Sequence, residues 1–235
     1  MKIYYIYHSG FAVETENYKM IFDYYKETGY NIGEFNLESF LSGDKKVVVF
    51  SSHVHGDHFN PEILNWREIN PDITYILSDD IKIKEKTSSI YMVHEGDTLD
   101  IDGINIKVFG STDAGVSFYV GCDGETLFHA GDLNWWYWSD DTPEEEKYMR
   151  DLYMEKMDRI IDENLQIDYL FYPVDPRLEN FSFLGVKYFI DSVRVKNIIP
   201  MHFWNNFNII KDLEKELKDR KEKVIVYEKN MMKIV

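Results

Sequence analysis

A chain of 235 residues with 44% hydrophobic and 16% aromatic residues can build a substantial core, in one large domain or two small ones. Its 42 acidic against 26 basic residues give a formal charge of −16, which disfavours a general nucleic-acid surface, because phosphate backbones are held mainly through neutralisation by Lys and Arg. The single cysteine, Cys122, excludes an internal disulfide and fits a reducing compartment. The opening MKIYYIYHSG lacks the apolar stretch and cleavage site of a leader. No segment nears the roughly 18 apolar residues of a membrane span, so a cytoplasmic protein working away from membranes is expected.

Lys2–His8, Phe11–Thr15 and Lys19–Tyr24 read as strands separated by Ser9-Gly10 and Glu16-Asn17, a meander pattern. Val47–Ser51 is a continuous apolar run, as expected of a strand buried on both faces. Asn60 followed by Pro61 is an N-cap and a first-turn proline, which predicts a helix over Pro61–Glu68. Strands follow at Ile73–Ser78, Ser89–His94, Leu99–Asp102, Asn105–Phe109, Val116–Val120 and Thr126–His129, with Asp102-Gly103 marking a two-residue hairpin. The longest helix spans Pro143–Asn164. Thr142 caps it, Glu144–Glu146 complement its positive end, and Met149, Leu152, Tyr153, Ile160 and Ile161 form its apolar face. Strands at Tyr169–Tyr172 and Asn197–Pro200 bracket a helix near Phe183–Val193, and a helix near Phe207–Lys221 precedes a last strand at Val224–Tyr227. No linker-like or repeated segment interrupts this series. The simplest reading is a single α/β domain over residues 1–235, with two sheets and helices outside them.

The strongest chemical signal follows the buried strand directly: Ser51-Ser52-His53-Val54-His55-Gly56-Asp57-His58. Regular structure would scatter these histidines over opposite faces, and a packing cluster would suffer their mutual repulsion when protonated. On a loop leaving a strand end they converge, and neutral imidazoles suit Zn, Fe, Ni or Cu, with a carboxylate widening the choice to Mn. Further ligands are then expected at other strand ends. Asp132 follows the apolar strand and glycine turn of Phe128-His129-Ala130-Gly131, and His202 follows Ile198-Ile199-Pro200-Met201.

This set, His53-Val54-His55-Gly56-Asp57-His58, then Gly131-Asp132, then Pro200-Met201-His202, resembles the metallo-β-lactamase superfamily in order and separation across nearly the whole chain. The short HSGF segment and the compact length are similar to the branch that includes ascorbate-6-phosphate lactonase-type proteins. The resemblance implies a four-layer αββα sandwich with two divalent metals at one sheet edge, Zn first and Mn or Fe as alternatives. It implies His53 and His55 at the first metal, Asp57, His58 and His202 at the second, and Asp132 between them. The superfamily supplies a further histidine to the first metal, but the matching stretch Gly110–Phe118 has none, and Asp113 stands in its place. Two readings are open: Asp113 is a ligand that hardens the site toward Mn or Fe, or it is a turn residue beside a weak first site.

Two divalent ions can share a water, lower its pKa and clamp both oxygens of a displacement. A hydrolase acting on a small-molecule ester, lactone or phosphoester is therefore expected, with Asp57 orienting the attacking water. The alternatives are a non-enzymatic metal-binding or interaction protein with a degenerate first site, and a di-iron redox protein needing an outside electron donor. The partner expected is a small-molecule substrate, with no nucleic acid and no membrane; the oligomeric state is not legible.

Five residues near this set are candidate substrate contacts. His8 ends the first strand; Asn134 and Trp135 open the run Leu133–Trp138; Arg177 offers a planar fork for a carboxylate or phosphate; Trp204 lies just past His202. Packing is the competing explanation for the tryptophan run, and an ion pair with an acid for Arg177. His129 is read as a packing residue, and His94 is given no role.

Overall fold

The computed structural model describes residues 1–25, 33–84 and 87–235. Among the described residues, the first sheet contains β1 (Lys2–Tyr7), β2 (Gly10–Glu14), β3 (Tyr18–Phe22), β4 (Lys46–Ser51), β5 (Thr74–Ser78), β6 (Ile90–Val93) and β14 (Met232–Lys233), in the order β14-β1-β2-β3-β4-β5-β6. The second contains β7 (Thr98–Ile101), β8 (Ile104–Gly110), β9 (Val116–Cys122), β10 (Glu125–His129), β11 (Gln166–Pro173), β12 (Arg194–Met201) and β13 (Lys223–Val224), in the order β13-β12-β11-β10-β9-β8-β7.

Each sheet begins as an antiparallel meander and finishes parallel. β1, β2 and β3 alternate in direction, after which β3, β4, β5 and β6 run parallel. In the second sheet β7 to β10 alternate, and β10, β11, β12 and β13 run parallel. Asp102 (φ 55°) and Gly103 (φ 95°) both occupy the left-handed region and close the hairpin that pairs Ile101 with Ile104, the geometry a two-residue hairpin turn needs.

The apolar run of β4 divides as a strand covered on both faces should. Val48 and Phe50 join the core between the sheets, where Phe50 packs on Phe22 and Phe118 at ring distances of 4.5 and 5.2 Å. Val47 and Val49 join an outer cluster with Phe40 and Leu41 of α1 (Leu37–Leu41) and with Ile63 and Trp66. On the far side, α2 (Pro143–Asp162), α3 (Leu184–Ser192) and α4 (Asn208–Glu216) bury Tyr153, Met157, Phe189, Ile210 and Leu213 against the second sheet. Helices, two sheets and helices make the expected αββα sandwich.

Three element expectations are corrected. Pro61–Glu68 forms a 3₁₀ helix rather than an α-helix, although Asn60 caps it by accepting from Glu62 N. The helix expected to run to Lys221 stops at Glu216, where the chain turns to bring β13 beside β12. The last strand keeps only Lys223–Val224, while Met232–Lys233 pairs with β1, an edge the sequence did not reveal. The long helix forms with the capping box of Thr142 and Glu145 in place. Among the described residues, no helix is long and apolar enough to cross a membrane.

Candidate metal centre

The parallel runs set the chemistry of one edge. β1 shares the direction of β3 and β4, being two antiparallel steps away, and β10, β11 and β12 run together. Successive strand ends therefore deliver His8, Asp23, the loop after Ser51, Asp132, Asp175 and His202. Three hydrogen bonds tie the two sheets together there. Val116 N donates to Ser52 O (2.9 Å), His129 Nε2 to Ser9 O (2.9 Å), and His202 N to His8 O (3.2 Å).

The loop after β4 is gripped closely. Ser52 donates to Asp23 from its backbone N (2.7 Å) and from Oγ (2.6 Å). His58 N and Phe59 N both donate to His55 O, closing the turn that folds the four donors back on themselves. Gly115, at φ 65°, makes this possible. A Cβ there would lie 2.0 Å from Ser52 O and 2.5 Å from the His53 Cβ, so any side chain would push the loop away.

Two groups of donors result. His53, His55, Asp113 and Asp132 each offer one ligand atom, all mutually within 4.8 Å, and so do His8, Asp57, His58 and His202. The Asp132 carboxylate faces both groups: Oδ2 is 3.6 Å from His53 Nε2, while Oδ1 is 3.2 Å from His58 Nε2 and 3.4 Å from His202 Nε2. The stretch that lacks a histidine brings Asp113 Oδ2 to 3.6 Å from His55 Nδ1.

Asp23 and Asp175, which the sequence reading did not single out as site residues, orient these donors from behind. His58 Nδ1 donates to Asp23 (2.7 Å) and His202 Nδ1 to Asp175 (3.0 Å). Because Ser52 Oγ donates to Asp23, it accepts from His53 Nδ1 (3.0 Å). Each Nε2 lone pair is thereby turned inward, the carboxylate–histidine arrangement that fixes the tautomer of metal ligands. His8, His53 and His58 Nε2 and Asp132 Oδ1 are buried without a hydrogen-bond partner. Buried polar atoms are normally paired, and imidazoles with carboxylates converging on shared points form a donor set that a divalent transition metal satisfies. The residues present fit the metal that the resemblance implies.

Burial and neighbouring charge set the titration of these groups. Burial pushes His8 down to about 4, outweighing the pull of Asp57. Burial also opposes charge on His58, but the Asp132 and Asp23 carboxylates overcome it and raise the ring to about 9. Burial would raise Asp23, yet His129 and His58 hold it at about 2. Asp57 and Asp132 stay below the usual carboxylate range although burial works against them, Asp57 through His8 and His58, Asp132 through His58, His202 and His53.

A cavity of about 290 Å³ lies over the donors, lined by His55, Asp57, Asp113, Trp136, Trp138, Met149, Arg177 and Trp204 among others. Arg177 and Trp204, two of the candidate substrate contacts, are in this lining. Arg177 also makes the expected ion pair, its guanidinium on Asp175 at 2.5 Å and over the Trp138 ring at 5.6 Å. His8, Asn134 and Trp135, the other expected contacts, are not among its lining residues. Asn134 is buried against Gly185, its backbone locked to Thr112 Oγ1, and Trp135 packs on Tyr153 and Tyr188. The next turn of the chain presents Trp136 instead, whose indole N–H donates to Asp132 O (3.0 Å) and whose ring packs on His202 (5.4 Å). His129 is a packing residue, stacked on Phe22 at 5.2 Å. Asp23 had a signal in the sequence, since it follows the apolar β3 as Asp132 follows β10. Asp175 likewise follows β11.

The profile of the beta-lactamase superfamily domain matches residues 2–202, a span that takes in every donor from His8 to His202. The chain belongs to the metallo-β-lactamase superfamily. Among superfamily relatives, a metal-dependent hydrolase of Alkaliphilus metalliredigens is 28% identical over 146 residues, 56% of this chain and 63% of the relative, less than two thirds of its length. The fold is shared with Igni18, a metallo hydrolase from the archaeon Ignicoccus hospitalis, at a TM-score of 0.67 and 17% identity over 99% of this chain and 97% of that one. It is also shared with a di-iron β-hydroxylase from Streptomyces venezuelae, at 0.64 and 10% identity over 99% of this chain and 53% of that one.

Proposed function

We propose that this superfamily member is a metal-dependent hydrolase of a small-molecule ester, lactone or phosphoester. The observation that supports it most is the pair of adjoining donor clusters sharing the Asp132 carboxylate beneath a cavity of small-molecule size. Two divalent ions bound there, Zn or alternatively Mn or Fe, supply an activated water and polarise the bond it attacks. His53, His55 and Asp113 would hold one ion and Asp57, His58 and His202 the other, with the Asp132 carboxylate facing both clusters. Asp57, half-buried and ionised at the cavity floor, accepts a hydrogen bond from the attacking water and sets its direction. Trp138 and Trp204 give an apolar substrate body a flat surface. Arg177, with donors beyond those spent on Asp175, meets an anionic group. The relatives named as hydrolases support this reading, and the placement of Asp113 beside His55 weighs against a degenerate first site.

Elemental analysis of protein purified without chelator, followed by turnover assays on lactones, esters and phosphodiesters, tests it. We expect about two metals per chain and activity that disappears on chelation and returns with metal. Full turnover by metal-free protein overturns it. One observation favours a second reading: Asp113 gives the first cluster two carboxylates, a harder set that suits iron, and a di-iron hydroxylase shares the fold. Iron as the native metal, with oxygen consumption in the presence of a reductant and no hydrolysis across the panel, would select that reading.

A further inference from the structure

We propose that His8 is itself a metal ligand, completing with Asp57, His58 and His202 a buried site of three imidazoles and one carboxylate that binds Zn before the His53–His55–Asp113–Asp132 site does. This rests on the metal reading above and assigns to His8 a role that the superfamily pattern of ligands omits.

The ring of His8 is fully buried, and neither of its nitrogens has a hydrogen-bond partner. The contrast with His129 is informative. That ring is equally buried, yet its Nε2 donates to Ser9 O and its Nδ1 accepts from Gly131 N. A histidine kept for packing finds partners; His8 directs its Nε2 at other ligand candidates. It lies 3.4 Å from Asp57 Oδ2, and donors bonded to a tetrahedral Zn at about 2.0–2.1 Å stand about 3.3 Å apart.

The ring is also held in place. Trp204 covers it at 4.0 Å between ring centres, and His202 lies against it at 4.2 Å. The backbone carbonyl of His8 accepts from His202 N, tying two proposed ligands of one ion together across the sheets. His8, His202 and Trp204 all adopt left-handed backbone, with φ of 56°, 65° and 54°, a conformation that non-glycine residues keep only when their surroundings fix it.

The other cluster is looser. His55 and Asp113 are 50% and 52% exposed, so binding there must order two half-exposed side chains. Imidazole-rich donors favour Zn, and a set with two carboxylates suits Mn or Fe better. The buried site is therefore the tight one, and exchange with solvent falls to the cluster bearing Asp113.

The test is a Zn titration of the full, chelator-stripped chain against a competing chromophoric chelator, with ring ¹H–¹⁵N spectra followed alongside. Wild type is expected to bind two Zn in steps separated by about tenfold or more. At one equivalent the ring signals of His8, His58 and His202 move while those of His53 and His55 stay. His8→Asn, chosen because Asn tolerates positive φ, is expected to weaken the tight step by roughly a hundredfold or more, since even outer partners of ligands cost 10–100-fold. It should leave the weak step nearly unchanged. A wild-type His8 signal that does not move at one equivalent overturns the assignment without recourse to any variant. So does a His8→Asn isotherm matching wild type, or His53 and His55 moving first. A wild type that binds no Zn, Mn or Fe fails earlier and takes the metal reading down with it.

Discussion

The two donor clusters use the same residue types at the same sheet edge, but they differ in what stands behind them. His58 and His202 each rest on a buried carboxylate, Asp23 or Asp175, and His8 is roofed by Trp204. His55 and Asp113 face the cavity with half their side chains exposed. The difference teaches that rigidity and access are separated within a few ångströms. One cluster is pre-organised by outer partners, and the other keeps the freedom that an exchanging ligand or substrate needs.

The largest effect expected is at the residue the clusters share. Asp132→Ala should empty the cluster bearing Asp113, weaken the other and lower turnover by about three orders of magnitude or more, read by elemental analysis and steady-state rates; retention of both metals at wild-type affinity would show that neither cluster depends on this carboxylate. Asp23→Asn comes next. It should weaken metal binding about 10–100-fold and destabilise the metal-stripped chain by about 3–5 kcal/mol, because the change breaks a buried charged pair; metal titration and denaturant unfolding measure the two effects. Asp113→Ala should leave one metal per chain, held as tightly as before, and a variant that lost both would erase the distinction between the clusters.

The buried cluster should also show itself through pH. His58 has its pKa raised to about 9 in the metal-stripped chain, above its ordinary 6.5. Its contribution to stability is therefore full below about 6.5 and is lost as pH rises through 9. Metal must displace that proton, so affinity should climb by up to about tenfold per pH unit between roughly 7 and 9. Unfolding midpoints of stripped protein that stayed flat across this window would refute the charge assignment. The smallest effect expected is Arg177→Lys. It keeps the charge but loses the planar fork, and should raise KM for an anionic substrate severalfold while metal content stays constant.

Much of this was legible in the chain. The loop donors were readable because few structural demands place three histidines and an aspartate directly after a strand buried on both faces. Asp132 and His202 were readable because each follows an apolar strand. Asp23 obeys the same rule after Tyr18–Phe22, but a lone acid before a loop reads equally well as a turn former. The tryptophan run was visible as chemistry, but not which of its members face the cavity. The burial of Asn134 depends on Gly185, where any Cβ would collide with its side chain, a close approach with no local signature. The pairing of Met232–Lys233 with β1 joins segments from opposite ends of the sequence, which periodicity cannot reveal.

The hydrogen bond from His202 N to His8 O brings a consequence in time. The donors are strung along the chain from His8 to His202, so during synthesis strands β1 to β6 of the first sheet can emerge with their histidines already displayed and still lack the partners that complete either cluster. Only when His202 clears the ribosome can the edge close. Metal capture by the cluster of His8, Asp57, His58 and His202 is then a late event that reports that both sheets have found one another, and a chain stalled before that point should lack that site.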